Sequence, residues 1–161
     1  MRPSFHFAKK LFGRDNEVVV VEVGVCAGHN ALATLSEWDM HMIGIEIDYS
    51  RVPQILDTLK WYKQFCLIMA DSVEAATLFP DGTIDLAYID DDHDGEGPVR
   101  SINAWWPKVR QGGILAGHDY LPSENEEEYV RKAVNDFVRE KDLPLMCDEW
   151  DWWVVKPYKV Q

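Results

Sequence analysis

The segment Glu17 to Val23 reads Glu-Val-Val-Val-Val-Glu-Val and runs directly into Gly24-Val25-Cys26-Ala27-Gly28. A run this apolar reads as a strand buried on both faces, and such strands belong to parallel sheets covered by helices on either side. The two glycines let the backbone pass close to a ligand before a helix begins. Four further short apolar runs follow, at His41 to Ile47, Phe65 to Met69, Ile84 to Ile89 and Gly113 to Gly117. Helix-period stretches separate them, at 28–37, 51–62 with Pro53 in its first turn, 72–79, and 98–110 opening on Pro98. A longer one, 124–140, carries a stripe of Val130, Ala133, Val134, Phe137 and Val138, with Ser123 and Glu126 as a capping box. Leu145 to Glu149 and Trp152 to Lys156 read as a strand pair around a tight turn. Strand and helix alternating in this way imply an α/β fold, a mainly parallel sheet with helices on both faces and an antiparallel edge. Ligands of such sheets sit beyond the carboxyl ends of the strands.

Composition supports one domain, 1–161, and the motif series set out below covers a core of about 17–157. Of 161 residues, 47% are hydrophobic, enough to bury a sizeable core. The formal charge is −12. That balance opposes both nucleic acid and anionic membranes, which are bound through Lys and Arg. No apolar run approaches the roughly 20 residues of a membrane span, and Met1 to Lys10 lack a signal-peptide stretch, so a cytoplasmic protein is expected. Cys26, Cys66 and Cys147 lack metal-ligand spacing and are expected to be reduced, mostly buried thiols. Trp105, Trp106, Trp150, Trp152 and Trp153 are expected mainly in the core or along the sheet edge, with a stacking wall for a substrate or a dimer face as the alternative.

The spacing of the glycine loop narrows the ligand. A dinucleotide fingerprint beginning at Gly24 needs glycines where Cys26 and His29 stand, and the Gly-Lys-Ser/Thr of a phosphate-gripping loop does not occur. Glu46, 22 residues after Gly24, stands where a carboxylate accepts both hydroxyls of a ribose. Asp71 closes the third strand and precedes Ser72, and their acceptors are placed to meet the exocyclic amine of an adenine; a strand-end acid also commonly caps a helix. The ligand suggested is a nucleoside without a pyrophosphate.

In order, Glu22-x-Gly24-x-x-x-Gly28, Gly44-Ile45-Glu46-Ile47-Asp48, Ala70-Asp71-Ser72, Tyr88-Ile89-Asp90-x-Asp92-His93 and Gly112-Gly113 through His118-Asp119-Tyr120 span nearly the whole chain. The series resembles the class I S-adenosylmethionine-dependent methyltransferases, and within them a compact group similar to methyltransferase domain 24. The resemblance implies a Rossmann-like, seven-stranded, mostly parallel sheet whose last strand is antiparallel. It implies S-adenosylmethionine held by Glu22, Gly24, Val25 and Gly28 at its methionine part, by Glu46 and Ile47 at the ribose, by Asp71 and Ser72 at the adenine, and by Asp90 facing the methionine or the substrate.

Asp90-Asp91-Asp92-His93-Asp94 leaves the fourth strand at this rim, and His118-Asp119 ends the fifth. Crowded carboxylates raise one another's pKa unless a cation is present. Metal-dependent O-methyltransferases of the catechol type place an Asp after strand four and an Asp-Asn pair after strand five. Here Asp90, His118 and Asp119 are the corresponding candidates for Mg²⁺ or another divalent cation. A hydroxyl acceptor loses its proton as the methyl arrives, which favours His93 or His118 as general base, with Asp90 beside them. The expected activity is methyl transfer to a hydroxyl of a small molecule or glycan, with N-methylation or a non-catalytic cofactor-binding subunit as alternatives. The acceptor's pocket is expected from loops near 90–97 and 118–126 or from a partner subunit, possible in a homodimer. Twelve acids in three stretches without Lys or Arg, at 90–96, 124–128 and 148–151, equal the whole negative excess. They suggest a cation-attracting rim; the 124–128 group also complements a helix dipole.

Overall fold

A computed structural model describes residues 1–13, 17–121 and 128–158. The chain opens with α1 (Pro3–Phe12), then β1 (Val19–Val23), α2 (His29–Leu35), β2 (His41–Glu46), α3 (Val52–Leu59), β3 (Phe65–Met69) and α4 (Ser72–Ala76). It continues through β4 (Ile84–Ile89), α5 (Gly97–Trp105), β5 (Val109–Gly117), α6 (Tyr129–Lys141), β6 (Met146–Asp148) and β7 (Asp151–Val155). The seven strands form one sheet in the order β3-β2-β1-β4-β5-β7-β6. The first five are parallel, and β7 runs antiparallel to both β5 and β6. This is the Rossmann-like architecture expected.

Alternation along β1 explains its continuous hydrophobicity. Val20 enters a core with Phe5 and Ala8 of α1, Ala31 and Leu35 of α2, and Ile55 and Leu59 of α3. Val21 and Val23 enter the opposite core, with Ala75 of α4, Ile102 and Trp105 of α5, and Val134 and Phe137 of α6. Both faces are covered, so a polar residue in the strand lies in the protein interior, as Glu22 does. Trp105, Trp152 and Trp153 are core residues and Trp106 packs edge-on against Phe137, but Trp150 is 42% exposed.

Several sequence expectations are corrected. Helix α5 ends at Trp105 rather than at 110, because Pro107 has no backbone N–H to continue the helical hydrogen bonds. Strand β5 therefore begins at Val109, and the pairing shifts between Ile84 and Leu86 where Gly112 takes a φ of 73°. Helix α1 was not anticipated, although Pro3 in its first turn, Lys9 and Lys10 in its last turn and Gly13 after it are its signals. The described part of the long helix is Tyr129–Lys141; the Ser123–Glu126 capping box lies outside the described residues. All three cysteines are exposed rather than buried. Cys66 and Cys147 lie on β3 and β6, the two sheet edges, where covering layers thin out, and Cys26 lies in the glycine loop.

Candidate active site

Strand order reverses between β1 and β4, and their carboxyl ends open a crevice there. The first loop is fixed from both sides: Gly24 N–H donates to the Ile45 carbonyl, and Asp90 N–H donates to the Val23 carbonyl. Gly24 has a φ of 86°, and a Cβ there would collide with the Asp90 backbone carbonyl. Glycine is therefore required by both conformation and space. Cys26 takes a left-handed φ of 54°, an uncommon backbone for a non-glycine residue. The loop closes at Gly28, φ 80°, the residue before α2.

A groove of about 520 Å³ runs from this loop along the ends of β2, β3 and β4. Gly24, Glu46, Ile47, Asp71, Ser72, Asp90 and His93 meet on it. Glu46 is locked in place: Oε2 accepts from Cys26 N–H at 2.8 Å, and Oε1 accepts from Ile47 and Asp48 N–H at 2.9 Å each. Asp71 caps α4 by accepting from Val73 and Glu74 N–H while bordering the groove, so it fills the capping role as well. Ser72 Oγ accepts from Trp105 Nε1 at 3.1 Å and bonds with Ser101 Oγ.

Three of the candidate cofactor residues lie off the groove. The Val25 side chain packs in the core, and Gly28 rests against Leu59 and Thr58. Glu22 is 1% exposed beneath the loop. Its Oε1 accepts from Asn30 Nδ2 at 2.8 Å, while Oε2 is buried without a hydrogen-bond partner. Burial is the main cause that pushes its carboxyl up to about 8; Asp90 adds to the shift, and Asn30 and Arg2 oppose it.

The acidic segment does not present all its carboxylates outward. Asp91 turns inward, its Oδ2 accepting from Ser101 Oγ at 2.6 Å, and burial raises its pKa. Burial also raises Asp90, against the opposing influence of Arg2 and the histidines. Asp119, with a left-handed φ of 57°, holds two imidazoles: His118 Nδ1 at 2.8 Å on one oxygen and His93 Nδ1 at 3.3 Å on the other. The His118 hydrogen bond is the main cause that lowers the Asp119 carboxyl. Ligand atoms of Asp90, His93 and Asp119 all lie within 4.8 Å of one another. His118 Nδ1 faces the same two carboxylates, 2.8 Å from Asp119 and 3.9 Å from Asp90.

Arg2, at the start of α1, was not among the candidates. Its guanidinium lies 3.3 Å from Asp90 and 3.6 Å from Asp151, and 5.7 Å from the Tyr88 ring centroid. Asp151, counted above as rim charge, is instead 1% exposed and accepts from Ser4 N–H, Ser4 Oγ and Tyr88 OH. No local motif marks Arg2 or Ser4; only the return of α1 onto β7 brings them here.

The methyltransferase-domain family profile matches residues 21–120. The chain belongs to that family, and its sheet is that of the class I S-adenosylmethionine-dependent methyltransferases. Similar solved structures include an rRNA methylase from Streptococcus thermophilus, with 15% identity over 98% of each chain and a TM-score of 0.76. A Streptococcus mutans methyltransferase in complex with SAH has 15% identity over 96% of this chain and 97% of that one, with a TM-score of 0.73. A Staphylococcus aureus protein assigned as a caffeoyl-CoA O-methyltransferase has 15% identity over 96% and 84%, with a TM-score of 0.72. At such identities the likeness is one of fold. No curated protein matches. Among the described residues no helix is long and apolar enough to cross a membrane.

Proposed function

We propose that this methyltransferase transfers the methyl group of S-adenosylmethionine to a hydroxyl oxygen of a small molecule or glycan. The observation that carries the reading is the groove itself, where Gly24, Glu46, Asp71 and Asp90 meet around space for a nucleoside and its methionine arm. Bound there, S-adenosylmethionine would supply an electrophilic methyl on a sulfonium. Glu46, held by three backbone N–H groups, presents its remaining acceptor capacity to the ribose hydroxyls. Asp90 places a carboxylate at the methionine end. The Asp119-held imidazoles of His93 and His118 keep Nε2 available for the proton that leaves the acceptor hydroxyl. The formal charge of −12 favours an acceptor other than nucleic acid, whose phosphates it would repel.

The double variant His93→Ala/His118→Ala is expected to retain SAH affinity by calorimetry and lose at least about 100-fold in turnover, the low end for a general base. Turnover near wild type with an accepted substrate would remove that role from both histidines.

The convergence of Asp90, His93 and Asp119 favours a metal-assisted form of the same reaction. Two carboxylates and an imidazole suit a hard divalent cation such as Mg²⁺ or Mn²⁺, which would lower the pKa of an acceptor hydroxyl. Added Mg²⁺ or Mn²⁺ is then expected to raise turnover, and Asp119→Asn to abolish that response. Full activity in excess chelator would contradict this form.

A further inference from the structure

A second cavity, of about 370 Å³, opens on the other side of Arg2 from the groove. It lies between the start of α1, the start of α2 and the turn joining β6 to β7, and Arg2, His29, Asn30, His118, Glu149 and Trp150 line it. The wall between them includes the contact of Arg2 with Asp90. Arg2 lines the cavity and Asp90 lines the groove, 3.3 Å apart, and His118 stands 3.9 Å from Asp90 on the cavity side. A group in the second cavity is therefore adjacent to the methionine end of the groove.

The geometry points to this cavity as the acceptor's pocket and to a neutral ring carrying a hydroxyl group as its occupant, an inference that rests on the methyl-transfer reading above. The volume admits a ring-sized group, at the small end of ligand pockets. Trp150 supplies an apolar surface: it lines the cavity, is 42% exposed overall and stacks on the His118 ring, with centroids 6.3 Å apart and planes 29° from parallel. Aromatic and sugar rings both pack on such a surface. The Asn30 amide and the His29 imidazole add hydrogen-bonding groups for hydroxyls, although Asn30 Nδ2 also donates to Glu22. Charge selects against an anion. Among the described residues Arg2 is the one Lys or Arg side chain in the lining and is already engaged by Asp90 and Asp151, the Met1 ammonium lies 3.8 Å from Glu37, and Glu149 adds a further negative charge. The transfer requires the Arg2 side chain to swing from Asp90 so that the hydroxyl reaches the methyl carbon; the acceptor oxygen then forms its bond to that carbon as the carbon–sulfur bond breaks, sulfur keeps the electron pair, and the hydroxyl proton leaves to a neighbouring base.

The test is ligand-observed NMR on the full chain saturated with SAH, using phenol, methyl α-D-glucopyranoside and benzoate as probes. At least one neutral probe is expected to bind, at least about tenfold more tightly than benzoate, and the stronger of the two identifies the ring as aromatic or sugar. Trp150→Ala is expected to weaken that probe at least about tenfold with SAH affinity unchanged, and Trp150→Phe to restore most of it. Failure of both neutral probes, equal binding of benzoate, or indifference to Trp150→Ala would overturn the assignment while leaving the cofactor groove standing. Absence of SAH binding to the wild-type chain would overturn the methyl-transfer reading and this inference with it.

Discussion

Gly24→Ala is expected to cost about 3 kcal/mol or more of stability. Left-handed backbone costs an alanine roughly 1–2 kcal/mol, and a methyl forced against packed backbone adds about 1–3. In a domain of this size that lowers the melting temperature by roughly 6–12 °C. The Cβ would collide with the Asp90 carbonyl, and the collision is with main chain that is itself hydrogen-bonded to β1, so no side chain can rotate away. The same displacement moves Asp90 and is expected to weaken SAH at least about tenfold. Gly82→Ala is the matched control: its φ is 72°, yet nothing lies within 4 Å of the added Cβ. Differential scanning calorimetry on the pair separates backbone strain, common to both, from collision, unique to Gly24. Equal losses would show that the loop yields without cost and that the close approach of β1 and β4 does not shape the groove.

The second large effect concerns Glu22. Its carboxyl, raised to about 8 chiefly by burial, is mostly protonated at pH 7 in the unliganded chain. If the methionine ammonium of the cofactor lies near it, binding favours the ionised form and releases a proton. SAH affinity is then expected to rise with pH toward 8, by at most about tenfold per unit, and to level off above the free-state pKa. Calorimetry at pH 7 in buffers of different ionisation enthalpy reads the proton directly. In Glu22→Gln the release and the pH slope are expected to vanish. The stability linkage has the opposite slope. With a folded-state pKa above its unfolded value of about 4.5, Glu22 contributes stability below pH 4.5 that is lost as pH rises through about 8, so Glu22→Gln flattens the pH–stability curve over that window. A pH-independent affinity in the wild type would exclude Glu22 from the cofactor's surroundings.

Much of this was legible in the chain because it rests on local signals. Two-sided burial of β1, glycines at 24 and 28, Pro53 and Pro98 in first turns, and acids at the ends of β2, β3 and β4 are each written within a few residues. A mainly parallel sheet then follows from strand-and-helix alternation, while the neighbouring of strands four and five is what the family resemblance implies. The less legible features are long-range. Arg2 and Asp90 are 88 residues apart, Ser4 and Asp151 are 147 apart, and no periodicity couples them. The inward turn of Asp91 depends on Ser101, a residue of the following helix, so counting charges along the segment overstated the number facing solvent. Val25 shows a different limit: the loop motif places its backbone near the groove, but Val25 turns its side chain into the core.

Titration calorimetry of the full chain with S-adenosylmethionine and SAH decides whether the groove holds the cofactor. Saturable one-to-one binding of both is expected, occupying the groove of Gly24, Glu46 and Asp90 and weakened in Gly24→Ala. Absence of heat and of thermal stabilisation with either compound would contradict it.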